Sequence, residues 1–178
     1  MIADKPRSAS SPFALLRGLD ALTTATNVAG SLLIFALVLL IGADVLSRNL
    51  FSDPISGVPE LVSLSIVAIV FLQAPMALLA GRMTRSDGVI NVLRRRAPRV
   101  AAALETAFDL CGIGVLAAIL YAHWPIMVRS WTRGDFVGAI GDFTAPTWPV
   151  KVMLFLGASI LALQFAARIV RRHFEPAP

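Results

Sequence analysis

Hydrophobic positions in this chain are grouped into four long runs separated by short polar segments. Positions 21–43 contain no charged residue, and neither do positions 61–81 or 110–128. A fourth run begins at Pro149 and reaches about position 167, with Lys151 as its single charge. An uncharged helix of about 20 residues, rising 1.5 Å per residue, crosses the ~30 Å of hydrocarbon in a bilayer. The pattern therefore predicts four transmembrane helices.

Shorter amphipathic stretches flank these runs. Before the first run, apolar residues lie largely on one helical face with Arg17 and Asp20 opposite, which is typical of a helix in the membrane interface. A cleaved signal peptide is the alternative, but the apolar run is too long for one and no small-residue cleavage site follows it, so we expect an uncleaved anchor. We predict a tail over 1–11 and an interfacial helix over 12–20. The first two spans are predicted at 21–47 and 59–81, followed by a second interfacial helix at 87–97. The last two spans are predicted at 99–128 and 149–170.

Composition and charge agree with this pattern. The chain is 57% hydrophobic, with a mean hydropathy of +0.76, more than a soluble body of 178 residues can bury. Its net charge is +5, but the arginines flank the apolar runs and no basic–aromatic groove pattern occurs, so we expect no nucleic-acid partner. Twelve basic residues lie on the side of the termini, against four on the other: Arg48, Arg129, Arg133 and Lys151.

This asymmetry places both termini in the cytoplasm by the positive-inside rule. The sequence thus predicts an all-α membrane protein with four transmembrane helices, N and C termini cytoplasmic. Short interfacial amphipathic helices precede the first span and lie between spans two and three. The expected location is a bacterial inner membrane.

The segment 44–61, which we name the elbow, joins the first two spans. It carries Asp44, Arg48 and Glu60 close to hydrocarbon, where charges have to be paired or reach headgroups, and Pro54 is among the residues that interrupt helix there. Asp44 precedes Arg48 by four residues and is its natural partner on one helical face. The elbow residues and Gln73, a polar residue inside the second run, are our candidates for structural or subunit-interface contacts.

The basic loop between spans two and three contains Arg94, Arg95, Arg96 and Arg99. These arginines are candidates for contact with anionic lipid headgroups, although a solvated orientation signal with no specific lipid is the simpler explanation. Glu105 and Asp109 follow four residues apart on one helical face, and we expect them to pair with the loop arginines near the interface. Deeper in the membrane they would need a partner helix or a raised pKa.

Tryptophans flank the connection 129–148, which is rich in Gly, Asp, Thr and aromatic residues. Trp124, Trp131 and Trp148 fit an aromatic belt at the periplasmic face of the membrane.

Motifs for catalysis are lacking: the sequence has no Gly-rich phosphate loop, no HExxH and no nucleophile elbow. We predict no enzyme, no catalytic residue, no cofactor and no metal. His123 and His173 lie near opposite ends of the spans, so one chain cannot present both to one haem, and Cys111 is a single small packing residue. A haem-bearing anchor of a respiratory oxidoreductase and a small independent transporter remain as alternatives. An independent transporter would need polar groups near the midplane of the membrane, and the spans offer little there beyond Gln73, Ser159 and Gln164.

The elbow resembles a signature of the small membrane subunit of tripartite ATP-independent periplasmic (TRAP) transporters, the DctQ-type family. The family pattern R-Y-x-F … P-I-x-W-x-E-E-L reads here Arg48-Asn49-Leu50-Phe51, then Pro54-Ile55-Ser56-Gly57-Val58-Pro59-Glu60-Leu61. Asn49, Gly57 and Pro59 depart from it. Arg85 and Asp87 are similar to part of an H-I-x-V-D stretch whose His is missing, and Pro146-Thr147-Trp148-Pro149 resembles a P-x-W turn.

The resemblance implies a specific role. In that family a non-catalytic small subunit braces a large elevator-type membrane subunit, and a periplasmic binding protein delivers substrates that are commonly organic acids. The implied partners are this large subunit, the binding protein and membrane lipids. Arg48 and Glu60 would then fix the elbow, either within the chain or across the subunit interface.

Overall fold

The computed structural model of the chain describes residues 11–82, 93, 96–139, 141 and 143–174. Its elements in chain order are the helices α1 (Ser11–Phe51), α2 (Val58–Leu79) and α3 (Pro98–Arg133), the strands β1 (Phe136–Ala139) and β2 (Phe143–Pro146), and the helix α4 (Trp148–Phe174). All four helices are long and apolar enough to cross a membrane.

Helix α1 is a single unbroken element of 41 residues, about 62 Å long at 1.5 Å per residue. Its hydroxyl side chains do not interrupt it, because they donate to carbonyls one turn earlier, as Thr23 does to Leu19. It ends where Ser52 adopts a φ of 57°, two residues before Pro54. The predicted helix 12–20 is therefore continuous with the first span, and its interfacial placement stays a prediction.

The second predicted interfacial helix, 87–97, lies mostly outside the described residues, as does the predicted tail except for its last residue.

Helix α2 begins after Gly57, whose φ of 84° is in the left-handed region, and contains a buried proline, Pro75. Proline has no N–H, so the carbonyl of Phe71 loses its normal helical partner. Gly157 of α4 lies against that carbonyl: a Cβ built on Gly157 would be 2.1 Å from the Phe71 oxygen. The absence of a side chain at Gly157 lets α4 approach the unpaired carbonyl closely, as small residues do between membrane helices.

The connection between α3 and α4 is more ordered than the sequence indicated. The third span is predicted to end at position 128, but α3 continues to Arg133 and is followed by Gly134, with a φ of 66°. A two-stranded antiparallel hairpin follows, in which Phe136 pairs with Pro146 and Ala139 pairs with Phe143. The all-helical prediction is correct for the spans and missed this hairpin.

Helix α4 is the central element of the bundle. It packs along α2 and α3, and more narrowly against α1, while α1 packs chiefly on α2. The buried hydrophobic cluster comes from α2, α3 and α4: Leu78, Leu116, Ala158 and Leu161. Helices α2 and α3 therefore flank α4, and α1 and α3 leave much apolar surface uncovered.

Candidate functional site

The end of the bundle where α1 begins and α4 finishes, which we name the terminal end, contains a dense set of ion pairs. Arg168, Arg171 and Arg172 supply the positive charges from the last turns of α4, and Gln164 lies one turn earlier on the same helix. Spacings of four, seven and eight residues from Gln164 place all three arginines on one helical face. This face meets acidic residues of both α1 and α3.

Asp109 of α3 is the centre of the contacts with α3. Its side chain is 0% exposed, and it accepts hydrogen bonds from Arg168 Nη2 at 2.7 Å and Arg168 Nε at 3.3 Å. Arg172 Nη2 lies 3.3 Å from the same carboxylate and 3.0 Å from Glu105, and its Nη1 donates to Thr106. Charge-assisted and two-pronged bonds of this kind are the strongest in proteins, so α3 and α4 are firmly tied at this end.

Asp20 provides the corresponding contact with α1. Arg171 Nη2 lies 2.7 and 2.8 Å from its two carboxylate oxygens. Gln164 Nε2 donates to Asp20 at 3.2 Å and to Thr23 at 2.8 Å. Helix α4 is thereby tied to α1 as well. We name these contacts the terminal network, formed by Asp20, Thr23, Glu105, Thr106, Asp109, Gln164, Arg168, Arg171 and Arg172.

The terminal network is electrically balanced and internally satisfied. Three carboxylates face three guanidinium groups, and within the described part of the chain no buried side-chain nitrogen or oxygen lacks a hydrogen-bond partner. Groups that are fully paired in this way hold helices together and are poorly suited to receive a substrate. The chemistry that the network supports is structural.

The opposite end, which we name the elbow end, has its own polar contacts. Asp44 accepts a hydrogen bond from Arg48 at 3.0 Å and a second from the backbone N–H of Ile55 at 2.9 Å. The predicted pair within the elbow is thus present, and it also closes the turn between α1 and α2. Pro54 lies exposed in that turn.

The hairpin covers the elbow at this end. A Cβ on Gly57 would fall 2.0 Å from the ring of Phe143, so the ring occupies the space that any side chain would need. The strand that carries Phe143 is held at its base, where Thr147 donates from its backbone N–H to Asp135 at 3.0 Å and pairs with Ser130 at 2.9 Å. Gly57, which departs from the family pattern, is therefore required by contact with the hairpin.

The three tryptophans lie at the elbow end. Trp131 and Trp148 meet edge to face, with ring centroids 4.7 Å apart, and Trp124 contacts Phe155 at 5.6 Å. More than half of the surface of Trp124 and Trp131 is exposed. Their assignment to a membrane belt stays a prediction.

The remaining candidate residues are Glu60, Gln73 and the arginines of the basic loop. Glu60 is half-buried and makes no hydrogen bond or ion pair with any described residue, and the same is true of Gln73, which packs over Gly30 of α1. Arg96 and Arg99 are exposed, whereas Arg94 and Arg95 lie outside the described residues.

Sequence reasoning missed the terminal network. Its first expectation paired Glu105 and Asp109 with the loop arginines, whereas the described partners of both belong to α4, a neighbouring helix, which was the alternative. The spacing of Gln164, Arg168 and Arg172 was the available signal, since a polar stripe at the end of an apolar helix indicates a polar stripe on a neighbouring helix.

No group of three metal-ligating side chains occurs among the described residues. His123 Nε2 donates to the carbonyl of Lys151 at 3.1 Å, and Cys111 is exposed. The side chain of His173 is outside the described part of the structure.

The chain matches the model of a known protein family. The family described as tripartite ATP-independent periplasmic transporters, DctQ component, matches residues 37–174, well over half of the chain. No curated protein and no solved structure matched the chain.

Proposed function

Because the chain belongs to the DctQ component family of TRAP transporters, we propose that it is the subunit that braces the large membrane subunit during transport. In this proposal the small subunit takes no part in catalysis and binds neither substrate nor coupling ion. It sits in the bacterial inner membrane with both termini in the cytoplasm. A periplasmic binding protein delivers the substrates, which are organic acids.

The distribution of polar and apolar groups carries this proposal. The charges of the terminal network are paired inside the chain, while apolar side chains of α1 and α3 are exposed along their length. In the most apolar stretch of α1 only 11% of the residues are buried. A part that stays fixed while a neighbour moves needs this combination of internal rigidity and external apolar surface. A carrier needs the reverse, a hydrated polar interior.

Glu60 is the candidate for a polar contact across the subunit interface. It lies at the start of α2, half-buried, and the described residues offer it no partner, in contrast to Asp44 and Arg48, which pair with each other. A carboxylate near hydrocarbon requires a donor, and a second subunit is the available source. Of the two roles that the sequence left open for Glu60, within the chain or across the interface, we propose the second.

Co-purification with the large subunit tests the proposal. We expect Glu60→Ala to weaken assembly by about 2 kcal/mol or more, because the partner's donor would be left unpaired. That loss corresponds to at least about thirtyfold weaker association. Substrate preference of the complex that remains should be unchanged. Asp53→Ala is the matched control, since Asp53 is an exposed elbow carboxylate.

Two results would contradict the proposal. A complex that stays intact in Glu60→Ala but changes its substrate preference would assign this residue to selectivity. Substrate uptake by vesicles that contain this chain alone would show a transporter that needs no large subunit.

A further inference from the structure

A groove runs along the outside of α3 beside the last turn of α4. It has a volume of about 590 Å³ and is lined by Arg172 and by five residues of α3: Ala102, Ala103, Thr106, Ala107 and Leu110. Three of these five side chains are single methyl groups, so the floor of the groove is shallow, smooth and apolar. Its dimensions and chemistry suit a flexible hydrocarbon chain that lies along the helix.

Arg99 lies one turn of α3 before the first residues that line this groove. It precedes Ala102, Ala103 and Thr106 by three, four and seven residues, the spacings that place side chains on one helical face. Its side chain is exposed, and no ion pair of Arg99 occurs with the described residues. The groove therefore leads along α3 toward a guanidinium group for which the described part of the chain provides no carboxylate partner.

The charge at the terminal end is complementary to an anion. The terminal network is neutral, with three carboxylates against three arginines. Four more arginines of the described chain are exposed at this end: Arg17, Arg82, Arg96 and Arg99. The excess positive charge at this end therefore comes from these four exposed arginines. Among them, Arg99 is the one that shares a helical face with the residues of the groove.

We propose that this groove binds an anionic phospholipid, with one acyl chain along Ala102, Ala103 and Ala107 and the phosphate at Arg99. Methylene groups of the chain would pack on the alanine methyls, and phosphate oxygens would accept hydrogen bonds from the guanidinium. Basic pockets beside membrane helices bind anionic headgroups in this way. Arg172, which is held by Glu105 and Asp109, forms the wall of the groove and adds no free charge. This site is independent of the bracing role.

Lipid retention by the purified full chain tests this site. Native mass spectrometry in mild detergent, with added phosphatidylglycerol, should show one retained molecule, whereas phosphatidylcholine and inorganic phosphate should not be retained. Arg99→Gln should weaken phosphatidylglycerol binding about fivefold, the effect of one arginine at an anionic surface. Arg17→Gln, which removes an exposed arginine from another helix, should leave binding unchanged.

A groove-filling change separates lipid binding from general attraction. Ala103→Leu should reduce phosphatidylglycerol retention at least about tenfold, because the added side chain occupies the path of the acyl chain. Ala118→Leu, at an exposed position further along α3, is the matched control for folding and should bind lipid normally.

The proposal is overturned if Ala103→Leu retains phosphatidylglycerol as well as the unmodified chain does, or if phosphatidylcholine is retained equally. It is also overturned if Ala103→Leu blocks assembly with the large subunit while lipid retention is unaffected, since the groove would then hold a helix of that subunit.

Discussion

Among single residues, Asp109 depends most strongly on its ion-pair partners. It is fully buried on a membrane-spanning helix and touches two guanidinium groups. An ionised carboxylate in such a place is stable only while its partners are present, and the same holds for the arginines. Removal of one partner would leave an uncompensated charge, and that cost is larger than the net stability that the intact pair supplies.

Replacing Asp109 by asparagine should destabilise the chain by about 3 kcal/mol, because the partly buried Arg168 would be left without its counter-charge. Unfolding of the purified chain in detergent, followed by circular dichroism, measures this loss. Asp135→Asn is the control: Asp135 pairs with Lys151 at 3.4 Å in a more exposed position, and we expect a loss below about 1 kcal/mol. Equal losses would show that burial of Asp109 does not set the strength of the pair.

Gly57 gives a second prediction at this scale. Gly57→Ala should destabilise the elbow by about 1–2 kcal/mol from the left-handed φ alone, with a further loss from collision with Phe143. The double variant with Phe143→Ala should recover the collision part but keep the backbone part. A double-mutant cycle on unfolding free energies separates the two, and strict additivity would mean that the ring does not restrict this position.

Contacts within one helix were predictable at this scale, and contacts between helices were not. The pair of Asp44 with Arg48 follows from a spacing of four residues. The pair of Asp109 with Arg168 joins positions 59 residues apart, and depends on α3 being a neighbour of α4. Periodicity shows that a helix has a polar face but does not identify the helix opposite it.

Among the secondary-structure elements, the contact between α2 and α4 depends on two unusual residues. Pro75 leaves the carbonyl of Phe71 without a helical partner, and Gly157 allows α4 to cover it. The Cα–H group of a glycine is a weak hydrogen-bond donor to a carbonyl. A proline that would interrupt a lone helix is thus accommodated by its neighbour.

Gly157→Val should separate α2 from α4 and destabilise the chain by about 1–3 kcal/mol, the usual effect of overpacking. Gly114→Val is the matched control, because a Cβ at Gly114 would meet no atom within 4 Å. Thermal unfolding in detergent measures both. A similar result for the two variants would mean that the close approach at Gly157 is not required.

Elements were predictable where hydrophobic periodicity defines them. The four spans follow from uncharged runs, since burial of backbone in hydrocarbon permits little besides helix. The hairpin does not, because strands of four residues carry almost no pattern and a lone hairpin is marginally stable. It is present here because Phe143 packs on Gly57, a contact between distant parts of the chain.

For the whole molecule, orientation in the membrane is the clearest prediction of charge. In a Cys111→Ser background, Asp53→Cys should react with a membrane-impermeant maleimide in intact cells. Arg82→Cys should react only after the inner membrane is permeabilised, because the basic side faces the cytoplasm. Both positions are exposed in the structure. Labelling in the reverse order would invert the topology and place the elbow inside.

The order of the helices could not be obtained from the sequence. All four spans are similarly apolar, so hydrophobicity does not show which helices are neighbours. Helix α2 packs mainly on α1 and α4, and α3 packs mainly on α4. Helix order is set by small residues such as Gly157 and Ala158, which permit close approach, and by the charged face of α4. These features become informative only in combination across several helices.

The two anchored carboxylates of α1 have a consequence for the choice of membrane. Asp20 is fixed by α4 and Asp44 by Arg48, so α1 has two fixed polar levels 24 positions apart, about 36 Å along its axis. This separation exceeds the ~30 Å of hydrocarbon in a typical bilayer, and a helix accommodates such an excess by tilting. Because α4 is bonded to Asp20, it has to follow that tilt. Hydrophobic mismatch in lipids of different acyl-chain length should therefore change the slant of the whole bundle rather than of one helix.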